Sequence, residues 1–173
     1  MIFASVGSIL PFDRLVRAVD EWAAANPSRE VFLQIGEGEY EPRHAPWARL
    51  MPHDEYRRRL AECTLFVAHV GMGSILQAME ERKQTLLLPR HRSLAEHTTD
   101  HQLHTATRFR HVPGLKIAED VEELKAEMSA LIATPMQQAA AISPYASQEL
   151  TDNIANFLRP ARASKPHVAL AQR

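Results

Sequence analysis

Cysteine is nearly absent from this sequence, in which Cys63 is the only one among 173 residues. A single cysteine excludes an internal disulfide and a metal site built from cysteines, and it fits a reducing compartment. Cys63 directly precedes an apolar segment, so we expect its side chain to lie in the core.

A charge excess and long apolar runs are also missing. The chain has 20 Lys and Arg against 21 Asp and Glu, a net charge of -1 at pH 7. No bulk electrostatic attraction for nucleic acid or for an anionic membrane follows from that balance. No apolar run reaches the length of a membrane span, and the first residues do not resemble a signal peptide. We therefore expect a soluble, unexported chain that does not bind nucleic acid.

The length of the chain predicts a single domain with a sizeable core. We expect that domain to cover residues 1–160, with a last helix over 144–158 that starts at Ser143-Pro144. Residues 161–173 are polar and interrupted by proline, which predicts a disordered tail.

The most informative stretch runs from Thr64 to Ser74. Leu65 to Ala68 form an apolar run typical of a parallel strand buried on both faces. After two glycines, Ile75 and Met79 continue at helical spacing. The segment therefore predicts a ligand-binding turn between the carboxyl end of a strand and the start of a helix.

The residues of this turn suit a diphosphate. Gly71 and Gly73 allow a ligand to approach the backbone, Ser74 offers a hydroxyl, and His69 offers an imidazole. A tight turn with a structural histidine would use the same residues, so both interpretations stay open for the segment alone.

Four further segments have the length and apolar character of strands, at 2–6, 31–35, 85–88 and 115–118. Helical spacing follows most of them, with Asp54 and Asp120 as helix caps. The alternation predicts an α/β fold, a Rossmann-like doubly wound parallel sheet of about five strands. Gly7 and Ser8 would then form a second ligand turn at the same edge of the sheet.

The segment 36–52 contains three prolines and two glycines, which predicts a long loop without regular structure. Loops of that length are often functional. Its candidate ligand or partner contacts are Tyr40, Arg43, His44 and Trp47. A solvated loop with one anchoring aromatic is the alternative.

The segment 90–102 carries a dense set of polar side chains. His91, His97 and His101 with Glu96 and Asp100 raise the possibility of a metal site, because His97 and His101 are four residues apart. No third ligand stands at a recognisable zincin spacing. Asp, Gln and His side chains would bind sugar hydroxyls equally well, and we favour that interpretation over a metal.

Taken together, several segments resemble one family. They are Phe3 to Ser8 followed by Pro11 to Leu15, Gln34-Ile35-Gly36, His69 to Ser74, and Asp100 to Leu103. Their order and spacing resemble the donor-binding C-terminal domain of family 28 glycosyltransferases, with a GT-B architecture. The likeness extends to stand-alone bacterial exopolysaccharide subunits of the PssE type and to the donor subunit of the eukaryotic dolichol-diphosphate N-acetylglucosamine transferase.

The resemblance implies roles for individual residues. The donor diphosphate would be held by His69, Gly71, Gly73 and Ser74, with Gly7 and Ser8 in the same pocket. Ribose or sugar hydroxyls would be reached by Gln77, Glu96, Asp100, His101 and Gln102. Related enzymes often have a glutamate at the position of Gln77, eight residues after His69, and an amide there would grip ribose differently. Arg90 and Arg92 would suit a uronate carboxylate, or serve the fold alone.

The resemblance also implies a split enzyme. The acceptor-binding half would be a separate membrane-anchored subunit that binds a polyprenyl-diphosphate-linked acceptor and supplies the general base. This chain would use a UDP-sugar, need no metal or other cofactor, and lie in the cytoplasm at the inner face of the membrane through its partner. Its product would belong to exopolysaccharide or capsule.

Two other functions have to be weighed. A dinucleotide-binding dehydrogenase module is disfavoured, because no Gly-x-Gly-x-x-Gly follows the first strand. A non-catalytic nucleotide-binding or regulatory subunit, which kept the fold and lost transfer, is suggested by Gln77 alone.

Overall fold

The computed structural model describes residues 1–137, 143 and 145–159. The chain divides into two units, one that extends from Met1 and one that begins at Ser143. The sheet and the candidate site belong to the first unit.

The first unit is built on one parallel sheet of six strands. They are β1 (Ile2–Ser5), β2 (Val31–Gln34), β3 (Trp47–Ala48), β4 (Leu65–His69), β5 (Thr85–Leu88) and β6 (Leu115–Ile117). Their order across the sheet is β3-β2-β1-β4-β5-β6, and every neighbouring pair is parallel. The predicted Rossmann-like α/β class is confirmed, with six strands in place of about five.

Helices cover both faces of the sheet. They are α1 (Asp13–Ala25), α2 (His53–Glu62), α3 (Met72–Glu80), α4 (His101–Phe109) and α5 (Val121–Ala133). Alternate strand residues point to opposite faces, so Ala4 and Val67 pack with α1 and α5. Phe3 and Phe66 pack with α2, α3 and α4. No helix within the described ranges is long and apolar enough to span a membrane.

The strand order reverses between β1 and β4. From β1 the chain moves to β2 on one side, whereas β4 is followed by β5 on the other side. The loops that leave these two adjacent strands therefore diverge and open a crevice at the carboxyl edge of the sheet. The fold alone places the turns at Gly7 and Gly71 on either side of that crevice.

Two elements of the first unit differ from the sequence predictions. The predicted loop 36–52 contains the edge strand β3, in which Trp47 and Ala48 pair with Leu33 and Gln34. Two residues are too few to give a strand periodicity in the sequence. Helix α2 begins at His53 with Pro52 as its N-cap residue, so Asp54 lies in the first turn and is not the cap.

The last helix, α6, spans Gln148–Leu158 in the second unit. Its N-cap is Ser147, whose hydroxyl accepts a hydrogen bond from the N–H of Leu150 at 3.3 Å, and not Ser143. Pro144 and the predicted tail 161–173 lie outside the described residues. The predicted cap of α5 is confirmed, since Asp120 accepts from the N–H groups of Glu122 and Glu123.

A buried carboxylate in α1 anchors the long loop. Asp20 accepts hydrogen bonds from the Tyr40 hydroxyl and from the N–H groups of Arg43, His44 and Ala45, at 2.8 to 3.1 Å. Burial by itself raises the pKa of Asp20, but these donors outweigh it and lower the pKa below its ordinary value. Trp47 donates to the Pro42 carbonyl. The candidate ligand or partner contacts in this loop therefore act in part to fix the conformation of the loop.

We predict that Asp20→Asn lowers the free energy of unfolding by about 1–3 kcal/mol, because an amide presents N–H groups to donors. Since the pKa of Asp20 is lowered on folding, its contribution is present above the unfolded pKa and is lost as pH falls through the folded one. Urea unfolding at pH 7 and pH 3.5 measures both effects. The exposed Glu30→Gln is the matched control, and equal stability of the two variants at pH 7 would contradict the anchoring role.

Candidate functional site

A cavity of about 560 Å³ occupies the crevice at the carboxyl edge of the sheet. Its walls come from the loop after β1, the turn after β4, the start of α2 and the segment that joins β5 to α4. The sequence positions are far apart, but parallel strands bring their carboxyl ends to one edge. The cavity is therefore a direct product of the strand order.

The imidazole of His69 stands between two glycines. A Cβ on Gly7 would lie 2.7 Å from the His69 Cε1 atom, and a Cβ on Gly71 would lie 2.2 Å from its Nε2 atom. Real Cβ atoms do not approach so closely, and Gly7 also has a φ of +81°. Both glycines are thus required by the ring itself.

Helix α3 points its first turn at the cavity. Gly71 is the N-cap and has no side chain to occupy the helix end, and the first helical bond runs from the N–H of Ile75 to the Gly71 carbonyl at 3.0 Å. The N–H groups of Met72, Gly73 and Ser74 have no partner within the helix. A Cβ on Gly73 would meet nothing within 4 Å, so this glycine leaves open space at the helix start. The arrangement suits an anion.

The loop after β1 is held by buried polar groups. The Ser5 hydroxyl donates to the Gln34 Oε1 atom at 2.7 Å, and the Gln34 amide donates to the Gly7 carbonyl at 3.0 Å. The Gly7 N–H in turn donates to the Ser5 hydroxyl at 3.2 Å. This ring of bonds fixes the backbone that faces His69.

Arg90, just after β5, connects the loop that follows β1 to the segment that precedes α4. Its side chain is only 2% exposed and donates to the carbonyls of Val6, Leu10, Pro11 and Glu96. Burial lowers the pKa of Arg90 to about 10, although nearby Glu96 acts in the opposite direction. Because its donors are already engaged by carbonyls, the structure favours the fold-supporting role for Arg90 over binding of a uronate.

Most of the sequence-predicted site residues line the cavity. They are Gly7, Ser8, His69, Gly71, Gly73, Ser74, Gln77, His101 and Gln102. Gln102 is buried, and its Oε1 atom accepts the Arg90 N–H at 3.1 Å. The strand order brings these residues together, while their individual roles stay predictions.

Two of the sequence-predicted site residues, Glu96 and Asp100, are not in the cavity wall. Glu96 forms a two-bond ion pair with Arg14, at 2.7 and 2.9 Å, and also accepts the His91 N–H. Asp100 accepts the N–H of Arg92 at 2.9 Å, and the Arg92 side chain is exposed. These carboxylates shape the loop that carries His97 and His101.

Other wall residues were not among the site predictions. His53 and Tyr56 enter from α2, and Met51 precedes that helix. Burial raises the pKa of the Tyr56 phenol. The segment gave no ligand signal because α2 approaches the crevice only through tertiary packing. His97, considered above only for a metal, also lines the cavity, yet the described residues include no group of three or more side chains placed to hold a metal ion.

Burial, and then the positive charge of Arg90, lower the pKa of His69 to about 4. The Nδ1 atom is buried without a hydrogen-bond partner among the described residues. At neutral pH the ring is therefore neutral.

Comparison with known proteins gives one family and one fold. The profile of the glycosyltransferase family 28 C-terminal domain matches residues 1–157. No curated protein sequence matches significantly. The solved glycotransferase of kitacinnamycin is similar in fold, with 19% identity and a TM-score of 0.58 over 78% of this chain and 35% of the other. The spinosyn forosaminyltransferase SpnP has 14% identity and a TM-score of 0.50, over 77% and 35%. This chain spans about a third of either protein.

The two glycines of the turn should respond differently to alanine. We predict that Gly71→Ala displaces His69 and destabilises the fold by about 1–3 kcal/mol, as overpacking does. Gly73→Ala should leave stability unchanged or raise it by up to about 1 kcal/mol, because its Cβ enters open space on a helix. Thermal unfolding of both variants measures the contrast, and equal destabilisation would contradict the described turn.

His69 should also contribute to acid sensitivity. The folded state favours the neutral ring, whereas the unfolded chain binds a proton below the ordinary pKa of 6.5, so stability is lost as pH falls from there towards about 4. The full effect is on the order of 3 kcal/mol. Unfolding free energies between pH 7 and pH 4 should fall less steeply in His69→Asn than in the wild type. The exposed His104→Gln should keep the wild-type slope, and an unchanged slope in His69→Asn would contradict the buried neutral ring.

Proposed function

The chain belongs to the family of glycosyltransferase family 28 C-terminal domains, and from that premise we propose that it is the donor-binding subunit of a two-component inverting glycosyltransferase. The donor is a UDP-sugar, and a hexose or uronic acid is transferred to a polyprenyl-diphosphate-linked acceptor. The product belongs to exopolysaccharide or capsule biosynthesis.

One observation carries the donor assignment: His69 and the open first turn of α3 meet in a single cavity at the point where the strand order reverses. When the bond between sugar and nucleotide breaks, negative charge grows on the β-phosphate. Fixed N–H donors at a helix start stabilise that charge more than they stabilise the ground state. The role of this chain is therefore to hold the donor and stabilise its leaving group.

The nucleoside and sugar would be held by amides and imidazole. Gln77 follows the diphosphate turn along α3 and can contact ribose, although it binds less strongly than a carboxylate would. Gln102 accepts from Arg90 through its oxygen, which leaves its amide N–H groups for a ligand. His101 lies at the same wall. Glu96 and Asp100 support this group through the loop, and reach a sugar only if they exchange their present partners.

The mouth of the cavity is apolar and exposed, which supports a covering partner. Ile9 is 84% exposed, Leu50 is 54% exposed and Met72 is 46% exposed. All three line the cavity. Apolar groups at the rim of a site are typical of a surface that another protein covers. We propose that this partner is the membrane-anchored subunit that binds the lipid-linked acceptor and supplies the general base, and that it holds this chain in the cytoplasm at the inner face of the membrane.

A non-catalytic, nucleotide-binding regulatory subunit is the second candidate, and Gln77 favours it. If the Gln77 amide binds ribose more weakly than a carboxylate would, the chain would still bind a nucleotide but would not support efficient transfer. Sugar transfer by the complex of this chain with its partner separates the two functions, because only the first predicts turnover that requires His69.

We predict that UDP raises the melting temperature selectively over ADP and NAD. Ligand at about a hundred times its dissociation constant adds about 2.7 kcal/mol, or several degrees. Gly73→Ala should lose the shift while keeping or raising the melting temperature of the free protein, because its Cβ fills the ligand space and meets no protein atom. His104→Gln, outside the cavity, should keep the shift. No UDP shift in the wild type, alone or with its partner, would contradict the donor site.

A further inference from the structure

The cavity has an unusual set of ionisable side chains. They are His53, Tyr56, His69, Arg90, His97 and His101. Within the described part of the chain, no Asp, Glu or Lys side chain lines it. The nearest loop carboxylates are already engaged, Glu96 with Arg14 and Asp100 with the Arg92 N–H. The charge of the wall is therefore set by one arginine and by whichever histidines carry a proton.

A nucleotide sugar brings two negative charges on its diphosphate, neither of which titrates near neutral pH. Arg90 supplies one permanent positive charge, but its guanidinium is directed to the carbonyls of Val6, Leu10 and Pro11. Burying the second negative charge without compensation would be costly. A proton taken up from solvent is the compensation that this wall can provide.

The position of His69 makes it the acceptor of that proton. Its Nε2 atom is the ring atom nearest to the place of a Gly71 Cβ, beside the first turn of α3. A phosphate bound at that turn would lie next to Nε2. The Nδ1 atom has no hydrogen-bond partner among the described residues, and the Ser5 backbone nearby favours the protonated form of the ring. We propose that His69 takes up a proton when the donor binds and holds the diphosphate as an imidazolium.

The neighbouring histidines are less suited to this role. The Nδ1 atom of His97 accepts the Thr99 N–H at 3.2 Å, so protonating that nitrogen would break the bond. Burial, then His101 and then Arg90 lower the pKa of His97. His101 packs edge-on against His97 at 4.3 Å between ring centroids, so charging both rings is unfavourable. His53 is exposed at the rim, where water screens its charge.

This proposal rests on the proposed function, and it adds that His69 takes up one proton when the donor binds. The proton enters with the donor, stays on His69 while the electron pair of the breaking bond moves to the β-phosphate, and returns to solvent when UDP leaves. Donor affinity is then linked to pH and rises up to about tenfold for each unit by which pH falls, between the pKa of His69 in the complex and its pKa of about 4 in the free protein.

Isothermal titration calorimetry of the full chain with UDP-glucose tests this linkage. Titrations in two buffers with different ionisation enthalpies give the number of protons taken up, since this donor does not titrate in the range used. We expect an uptake of about half a proton or more at pH 6.5, and affinity that rises towards pH 5.5. His69→Asn should bind with little or no proton uptake and a flat pH profile. His104→Gln should behave as wild type.

The outcomes distinguish failure of the proton linkage from failure of the proposed function. Binding with the same heat in both buffers, or uptake that persists in His69→Asn, overturns the proton linkage and leaves the donor site intact. Absence of binding by UDP-glucose, UDP-galactose, UDP-glucuronate and UDP-N-acetylglucosamine, alone and with the partner, overturns the proposed function and the linkage together. If His69→Asn does not fold, the nitrogen chemical shifts of His69 in labelled wild-type protein decide, because an imidazolium in the complex supports the proposal and a neutral ring contradicts it.

Discussion

The close packing of His69 between Gly7 and Gly71 is the constraint on which the rest of the site depends. The ring fills the space between two turns that leave neighbouring strands in opposite directions. It therefore sets how far those turns stand apart and where the first turn of α3 points. A side chain on either glycine would move the ring, and the wall of the cavity would move with it.

A buried arginine and a partly buried ion pair maintain this arrangement. Arg90 binds carbonyls of the loop after β1 from the end of β5, and the Arg14–Glu96 pair joins α1 to the following loop. A buried arginine that satisfies carbonyls costs less than one left unpaired. The result is a wall with little permanent charge directed inward, and this makes the protonation of histidines decisive for an anionic ligand.

The fold was predictable because its signals are local. Short apolar runs such as Leu65 to Ala68 end at glycines, and helical spacing follows them, so a parallel sheet with ligand turns could be expected. The two-residue strand β3 has no period to detect. Its position depends instead on pairing with Leu33 and Gln34.

The site was predictable where one segment carries both the ligand chemistry and the turn. His69, Gly71, Gly73 and Ser74 meet that condition. Glu96 and Arg90 do not, because the Arg14 partner of Glu96 and the carbonyls of Val6, Leu10 and Pro11 that Arg90 binds lie 79 to 84 residues away along the chain. Nothing in the segment around either residue indicates an ion pair or a set of bound carbonyls. Asp20 is another such case, in which a helical carboxylate finds its donors in a distant loop.

A structure of the protein with UDP bound is the most direct test of whether the cavity at the start of α3 holds the donor diphosphate. We expect a β-phosphate at the start of α3, about 3 Å from the N–H groups of Gly73 and Ser74 and from the Nε2 atom of His69. UDP bound elsewhere, such as in the cavity between Arg17 and Trp47, or bound with its phosphates turned away from α3, would contradict it.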